Sequence, residues 1–335
     1  MKQVAATALA LLLALFLLPL LLLGEPSGEA EPAATGGLPI DRTVVTPAVS
    51  QDSQITVRVQ LGDGEVLALP LDKYLWRVVA AEMPASFEPE ALKAQAVAAR
   101  TYTMSKMERT SETHPDADVC TDITCCQAYI TPEQAAANWG DNAQAYTEKI
   151  SAAVSDTDGM AALYQGQPIQ AVFFSSAAGK TVDAVEVWGN SVPYLTSVDS
   201  PEGEEVPNYH SNVTVPLEEF KSKLLAQYPG ADLSGDPSGW FQNVVPNSAG
   251  GVETVDVGGV TVSGTALRTL FALRSTSFTV SAGADGVTFS VTGYGHGVGM
   301  SQYGANALAK QGKNYVEILT WYYTGIEVAQ YRPQT

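Results

Sequence analysis

The first hydrophobic feature of the chain is an uncharged run made mostly of Leu and Ala, Ala5–Leu23. About 20 apolar residues are enough to cross a bilayer as a helix. Lys2 is the only charged side chain on the short side of this run, so the positive-inside rule places everything after Gly24 outside the cytoplasm. The pattern predicts a single-pass membrane anchor over residues 1–24 and an exported remainder. A cleaved signal peptide is the alternative.

The composition and the periodicity of the chain change at two points after this run. Residues 25–50 are rich in Gly, Pro, Ala and Glu and have no apolar period, which is typical of a flexible tether. From residue 51 onward, apolar positions recur with strand or helix periods, and no internal repeat is visible. We therefore expect one folded, exported domain over residues 51–335.

The first elements of this domain are the easiest to predict. Two strands, Ile55–Leu61 and Glu65–Leu69, form a predicted pair, and the first alternates apolar and polar side chains. A helix then begins after Asp72, a good N-cap residue, and ends at Pro84. A second, Ala-rich helix is predicted over residues 89–107.

The later elements are shorter and more mixed. Residues 200–250 are rich in Pro, Gly, Ser and Asp and predict a surface-exposed excursion with one helix. The predicted helical regions are Ala143–Ser155, Leu217–Gln227 and Ser301–Tyr323. The predicted strands lie in Ala162–Tyr164, Ile169–Ser175, Gly251–Val262 and Phe278–Thr292. This mixture predicts an α+β fold with a mixed, mostly antiparallel sheet and packed helices, not regular βαβ units.

The charge of the chain argues against one class of partner. It has 36 acidic and 18 basic residues, a formal net charge of −18. Nucleic-acid binding needs clustered Lys and Arg to displace phosphate counterions, so we expect no nucleic-acid partner. A neutral polymer or a basic protein fits better.

An acidic residue interrupts the apolar face of the first predicted helix. The i, i+3, i+4, i+7 spacing puts four residues on this face, Leu75, Val78, Val79 and Glu82. Burial disfavours the charged form of a carboxyl group and raises its pKa, as a general acid working near neutral pH requires. Glu82 is therefore a candidate catalytic acid. The alternative is that it escapes to solvent at the last helical turn.

All the cysteines of the chain lie in one short loop together with a histidine. The spacing is H-x5-C-x4-C-C, formed by His114, Cys120, Cys125 and Cys126. Three cysteines cannot all pair internally, and tetrahedral zinc favours mixed thiolate and imidazole ligands, so the loop predicts a structural zinc site. The alternative is a disulfide from Cys120 to Cys125 or Cys126. The sequence has no HExxH pattern that would indicate a metallohydrolase.

Alternating glycines follow the last predicted strand, at Gly293, Gly295, Gly297 and Gly299. No G-x-G-x-x-G register fits them, so we do not expect a nucleotide site. Alternating glycine lets the backbone approach a neighbour or a sugar ring closely. His296, between these glycines, is a candidate for binding substrate or positioning Glu82. A structural, hydrogen-bonded histidine is the alternative.

Several long segments, taken in order, carry a family resemblance. The longest is YLWRVVAAEMPASFEPEALKAQAVAARTY, Tyr74–Tyr102. The others are VWGNSVPYL (Val187–Leu195), VSGTALRTLFALRSTSF (Val262–Phe278), GYGHGVGMSQYGANALA (Gly293–Ala309) and YYTG (Tyr322–Gly325). From about Ile55 to the C-terminus, the chain resembles the stage II sporulation protein D (SpoIID/LytB) family.

The resemblance implies a role for Glu82. Sporulation members of the family are lytic transglycosylases of peptidoglycan, and the glutamate of their Glu-Met-Pro motif, here Glu82, is the acid/base. Such an enzyme lets the C6 hydroxyl of the muramic sugar close onto C1, so it needs one carboxylate where hydrolysing glycosidases commonly use two. Some family members also carry zinc at the Cys/His loop.

The family motifs also suggest substrate-binding residues. Lys93 and Arg100, seven residues apart on one face of the second helix, are candidates for holding the muramyl lactyl group or orienting Glu82. Solvated or structural ion pairs are the alternative. Tyr194, in the Pro-Tyr-Leu motif, is a candidate for lining the cleft, with core packing as the alternative.

The resemblance further implies partners. The substrate would be MurNAc–GlcNAc glycan strands whose stem peptides a cell-wall amidase has removed. The sporulation branch acts with that amidase and with a membrane assembly that drives engulfment during endospore formation. Because the family also contains non-catalytic amidase enhancers, such an enhancer is the alternative function, and a zinc hydrolase is a third.

Overall fold

The computed structural model describes residues 49–109 and 111–333. The predicted anchor, residues 1–24, and the predicted tether up to residue 48 lie outside the described residues. Within the described ranges, no helix combines the length and the apolar character needed to cross a membrane.

Helices and strands alternate irregularly along the described chain. The helices are α1 (Leu71–Glu82), α2 (Pro89–Met107), α3 (Pro132–Trp139), α4 (Ala143–Ser155), α5 (Ala184–Trp188), α6 (Leu217–Gln227), α7 (Gly264–Leu270), α8 (Gln302–Lys310) and α9 (Tyr315–Tyr322). The strands are β1 (Thr56–Gln60), β2 (Val66–Pro70), β3 (Val119–Cys120), β4 (Met160–Tyr164), β5 (Gln167–Pro168), β6 (Phe173–Phe174), β7 (His210–Val215), β8 (Phe241–Pro246), β9 (Val252–Val257), β10 (Val260–Ser263), β11 (Phe278–Gly283), β12 (Gly286–Thr292), β13 (Met300–Ser301) and β14 (Glu327–Gln330).

Helix α2 is the centre of the first lobe, whose core is built from the chain before residue 200 and after residue 297. It packs against α1, α4, α8, α9 and β4. Its many alanines let these neighbours approach closely, and a helix that is apolar on nearly all sides belongs inside a core. This packing fixes the position of α1, which ends at Glu82.

Strand pairing is mostly antiparallel but is divided among five small sheets in the described residues. β1 pairs antiparallel with β2, with Thr56 opposite Pro70, and parallel with the short β3. The sheet β14–β4–β5 is antiparallel, whereas β13 and β6 form a short parallel pair. The predicted α+β class is confirmed, with several small sheets in place of one.

Residues 210–292 form a second lobe with its own hydrophobic core. The sheets β11–β12–β7 and β10–β9–β8 pack with α6 and α7 around stacked or edge-on aromatic rings, among them Phe220, Trp240, Phe271 and Phe289. The prediction of an exposed excursion over residues 200–250 is therefore wrong from His210 onward. Each short strand carries few apolar residues, so the core becomes visible only when distant strands meet.

Some element boundaries also differ from the predictions. α1 begins at Leu71, directly after Pro70, so Asp72 lies in the first turn and does not cap the helix. An acid in the first turn still interacts favourably with the helix dipole. Within Ile169–Ser175, only Phe173–Phe174 is a strand. The short helices α3 and α5 were not predicted.

Candidate functional site

Glu82 is the last residue of α1, on the face that packs against the core. Leu75, Val78 and Val79 on the same face are fully buried. The chain then leaves the helix in an extended conformation at Met83. This geometry carries the Glu82 carboxyl group to the edge of an apolar surface, where it is half-buried and not released into bulk solvent.

Two hydrogen bonds hold the Glu82 carboxyl group. Oε1 accepts from the backbone N–H of Ala128 at 2.7 Å, and Oε2 accepts from Nε2 of Gln302 at 3.3 Å. Burial raises the pKa of Glu82, and this effect outweighs both hydrogen bonds, which favour the charged form. The site therefore contains a carboxylic acid that stays protonated to higher pH than an ordinary glutamate.

Glu82 faces a cavity of about 520 Å³ between the two lobes. Pockets that bind small molecules commonly have volumes of about 300–1,000 Å³. The polar side chains that line the cavity are Glu82, Tyr102, Gln127, Ser175, Arg268, Tyr294, His296 and Gln302. Among the described residues, Glu82 is the one carboxyl group in this lining, so any general acid chemistry by a carboxyl group here depends on it.

The structure brings His296 into this cavity, but both of its ring nitrogens are already occupied. Nδ1 accepts from the backbone N–H of Val298, and Nε2 therefore donates to the carbonyl oxygen of Phe173, each at 3.1 Å. Burial, assisted by the charge of Arg268, lowers the pKa of His296 to about 4 and keeps the ring neutral. These contacts are those of the structural, hydrogen-bonded histidine given above as the alternative, and a role in binding substrate or positioning the acid stays a prediction. The ring forms part of the cavity wall.

Arg100 does not reach the cavity. Its guanidinium is fully buried and forms an ion pair with Asp52, with 2.7 Å between Nη2 and Oδ2. Further hydrogen bonds run to Thr157 and to the carbonyl oxygens of Val154 and Met160. These groups surround the guanidinium inside the first lobe, away from the cavity, as the structural ion-pair alternative expects. The predicted role of Arg100 in holding substrate has no support from this position.

Lys93 and Tyr194 also lie outside the cavity lining. Nζ of Lys93 pairs with Glu90 at 3.0 Å and with Asp156 at 3.1 Å, at the surface of the first lobe. Tyr194 packs against Tyr164, with 5.4 Å between the ring centroids, and its hydroxyl accepts from a backbone N–H. Both residues therefore make contacts of the kind given above as structural alternatives, and their roles in substrate binding stay predictions.

The alternating glycines bring the backbone tightly against its neighbours. Gly299 has φ +78°, and a Cβ at this position would lie 2.2 Å from the carbonyl oxygen of Val172. Gly295 has φ +124°, and a Cβ there would lie 2.6 Å from the Cβ of Phe174. This confirms the expected close approach of the backbone to a neighbour. Helix α8 begins shortly after these glycines, and its first residue, Gln302, donates a hydrogen bond to Glu82.

Three groups of the site were missed by the periodicity argument, namely Gln302, Arg268 and the backbone N–H of Ala128. Gln302 and Arg268 lie inside the segments that carry the family resemblance, so those segments held a signal for them. Ala128 contributes only its backbone, for which a sequence holds no side-chain signal.

The Cys/His loop folds into a compact cluster of four potential metal ligands. The ligand atoms of His114, Cys120, Cys125 and Cys126 all lie within 4.8 Å of one another. All three cysteines are free thiols, so the disulfide alternative is wrong. Sγ of Cys126 is 3.4 Å from Nε2 of His114 and 3.9 Å from Sγ of Cys125.

These separations match a tetrahedral ion. Ordinary Zn–S and Zn–N bond lengths imply about 3.8 Å between two sulfur ligands and about 3.6 Å between sulfur and nitrogen. Nδ1 of His114 lies 3.0 Å from the carbonyl oxygen of Ala117, the kind of outer hydrogen bond that orients a metal-binding histidine. The cluster therefore fits zinc, and four protein ligands would leave no position open for water.

The fold and the site together define a two-lobed α+β protein with a half-buried carboxylic acid in an interlobe cavity and a cysteine-rich cluster beside it. Residues 62–164 match the family model for SpoIID, stage II sporulation protein. The chain is 35% identical to stage II sporulation protein D of Bacillus subtilis (strain 168), over 98% of this chain and 96% of that protein. It is 36% identical to stage II sporulation protein D of Bacillus amyloliquefaciens, over 84% of this chain and 80% of that protein.

A more distant relative carries a different name. An amidase enhancer of Bacillus subtilis (strain 168) is 31% identical, over 76% of this chain and 40% of that protein. The chain belongs to the stage II sporulation protein D family, which confirms the resemblance found in its motifs.

Proposed function

We propose that this protein is a peptidoglycan lytic transglycosylase that cleaves MurNAc–GlcNAc glycan strands and leaves 1,6-anhydro-MurNAc ends. The observation that carries the proposal is the carboxylic acid of Glu82, whose pKa is raised by burial in a cavity of saccharide size. Membership of the family supports the substrate class. The names of the relatives support a role in sporulation, and we propose engulfment during endospore formation as that role.

The chemistry needs one acid that can give and then regain a proton. Protonated Glu82 donates to the glycosidic oxygen as the bond from C1 of MurNAc to that oxygen breaks. The C6 hydroxyl of the same sugar then bonds to C1, and its proton returns to the Glu82 carboxylate. No water is consumed, which suits a cavity in which no second carboxyl group of the described chain is available to activate one.

The two hydrogen-bond donors at Glu82 suit the charged stage of this cycle. After proton transfer, the carboxylate is held by the N–H of Ala128 and the amide of Gln302. Hydrogen bonds to an ionised carboxylate favour the charged form. These donors therefore favour release of the proton, while burial raises the pKa of Glu82 and favours the protonated form from which the cycle starts.

We further propose that the domain works outside the cytoplasm, anchored through the apolar run Ala5–Leu23. The proposal rests on that run and on the single lysine before it. The proposed partners are the glycan strands themselves, a cell-wall amidase and a membrane assembly of engulfment. The identity to an amidase enhancer is consistent with this setting at the cell wall.

A non-catalytic amidase enhancer is the second candidate, favoured by that same relative. In such a protein, Glu82 would serve structurally by binding the N–H of Ala128. Incubating the purified protein alone with stem-peptide-free glycan strands distinguishes the two functions. The enzyme shortens them without help, whereas an enhancer leaves them intact and only accelerates peptide release by an added amidase.

Glu82 must begin the reaction protonated, so the rate should fall as pH rises through its pKa. Because burial raises this pKa, the falling limb should lie above the usual range of a glutamate. His296, with a pKa of about 4, stays neutral across this limb and does not shape it. Gln302→Leu removes a donor that favours the carboxylate, so the limb should move to still higher pH in a kcat–pH profile.

The matched control for this profile is Gln311→Leu, an exposed glutamine just after the same helix. Its profile should coincide with that of the unaltered protein. A limb that moves to lower pH in Gln302→Leu, or does not move at all, would contradict the assignment of Glu82 as the titrating acid.

One zinc ion per chain is expected at the Cys/His cluster, and elemental analysis of the purified protein measures it. Cys126→Ser should lose this zinc and lower the melting temperature, because structural zinc contributes directly to folding free energy. The loop also carries Ala128, two residues after Cys126, so loss of the metal should weaken its hydrogen bond to Glu82. Exposed Glu112→Gln, before the cluster, is the control. Zinc content that is unchanged in Cys126→Ser would rule this site out.

A further inference from the structure

Arg268 is a cation without a carboxylate partner on the wall of the Glu82 cavity. It lies on α7 of the second lobe and is half-buried. Its Nε donates to the carbonyl oxygen of Arg274 at 3.3 Å. Within residues 49–109 and 111–333, its two terminal nitrogens make no hydrogen bond and no ion pair. The planar guanidinium fork of arginine binds carboxylates through two parallel hydrogen bonds, so this side chain is suited to an anionic group that enters the cavity.

The guanidinium is held in place by the loop that lines the same cavity. The carbonyl oxygen of Arg274 that binds Arg268 also accepts from the N–H of Gly295 at 2.9 Å. The guanidinium carbon of Arg274 lies 4.1 Å from the ring centroid of Tyr294, whose exposed side chain lines the cavity. One hydrogen bond therefore ties the Arg268 side chain to the loop that lines the cavity.

The electrostatics of the cavity favour an incoming anion at this point. The titratable side chains that line it with Arg268 are Glu82, Tyr102, Cys126, Tyr294 and His296. The pKa of His296 is lowered to about 4, which keeps its ring neutral, and the proposed mechanism begins with Glu82 protonated. Burial lowers the pKa of Arg268, but an arginine side chain remains charged in proteins. The cavity lining thus carries one arginine, and among the described residues Glu82 is the one carboxyl group that lines the cavity with it.

We infer that Arg268 is a specificity-determining residue that binds the lactyl carboxylate of a muramic acid unit in the glycan strand. The inference rests on the proposed function, which supplies the saccharide. In a strand that still bears its stem peptides, the lactyl carboxyl group is a neutral amide. Once the peptide is removed, the same group is a carboxylate, which an arginine can bind through two parallel hydrogen bonds. Arg268 would therefore be the residue that produces the preference for peptide-free strands implied by the family resemblance.

The test uses one preparation of peptide-free glycan strands in two forms. In the first form the lactyl carboxylates are free, and in the second they are converted chemically to neutral methyl amides. The unaltered protein should show a kcat/KM about ten- to a hundredfold higher on the free carboxylates, the range expected for hydrogen bonds to charged groups. Arg268→Gln should lose this preference and act on both forms as the unaltered protein acts on the amide form. Arg268→Lys keeps the positive charge but loses the planar guanidinium group. Its preference for the free-carboxylate form should lie between those of the unaltered protein and Arg268→Gln.

The exposed Arg332→Gln is the matched control and should keep the full preference. Equal losses on both strand forms in Arg268→Gln, or equal cleavage of both forms by the unaltered protein, would overturn the inference while leaving the proposed function standing. Thermal melting of each variant separates these results from unfolding.

Binding tests Arg268 independently of cleavage. In a Glu82→Gln background, the free-carboxylate strands should bind more tightly than the amide form, and added salt should reduce this difference. Arg268→Gln should abolish the difference. If the unaltered protein cleaves neither form, the proposed function is wrong. The binding difference then tests the inference by itself, and equal binding of the two forms would overturn it.

Discussion

Glu82→Gln should abolish the formation of anhydro-muramyl ends while leaving the fold intact. A glutamine cannot donate a proton to the glycosidic oxygen, and general acid–base catalysis contributes about 10²–10⁴-fold to a rate. The amide oxygen can still accept from the N–H of Ala128, so the loop should remain in place. We expect kcat to fall by at least about two orders of magnitude, measured on purified glycan strands, with the melting temperature little changed.

The matched control is Glu65→Gln, an exposed glutamate in the turn between β1 and β2. It makes the same chemical change far from the cavity lining and should retain full activity. If Glu82→Gln cleaved strands as fast as the unaltered protein, Glu82 would not be the acid, and the cavity would need another explanation.

Asp52→Asn should destabilise the protein strongly, because it leaves Arg100 charged inside the first lobe. Both side chains are buried, and their ion pair is 2.7 Å long. An arginine cannot lose its proton to relieve such burial, and breaking a buried pair from one side costs about 3–5 kcal/mol. Urea unfolding should show a fall of this size in the free energy of unfolding.

Arg100→Met should cost less than Asp52→Asn. Burial already raises the pKa of Asp52 despite the nearby guanidinium, so the carboxyl group can become neutral once the cation is gone. The surface pair of Lys223 and Glu219 is the control, and Glu219→Gln should change stability by less than about 1 kcal/mol. A raised KM with unchanged stability in Arg100→Met would instead support a role of Arg100 in substrate binding.

The amphipathic pattern of one helix was enough to single out Glu82. Its spacing from Leu75, Val78 and Val79 is a local property, and it places the carboxyl group on the face that meets the core. The cysteine-rich loop was predictable for a similar reason, because its four ligands lie within thirteen residues of one another in the sequence. Short-range spacing was therefore enough to locate both the candidate acid and the candidate metal cluster.

The features that the sequence did not predict depend on contacts between distant parts of the chain. The helix that carries Arg100 was predicted correctly. Its partner Asp52 lies 48 residues earlier in the chain, and no helical period reveals a contact between such distant residues. His296 sits among glycines, and its hydrogen bond to Phe173 spans 123 residues. The second core was hidden because its strands are short and pair across long separations, as β12 does with β7.

The most direct test of the central claim is to run the cleavage in water enriched in heavy oxygen and to determine the masses of the new glycan ends. Ring closure by the C6 hydroxyl predicts ends that lack one water relative to a hydrolysed strand and carry no heavy oxygen. Reducing ends labelled with heavy oxygen would show that water attacks C1, and the account of a single acid acting without water would be contradicted.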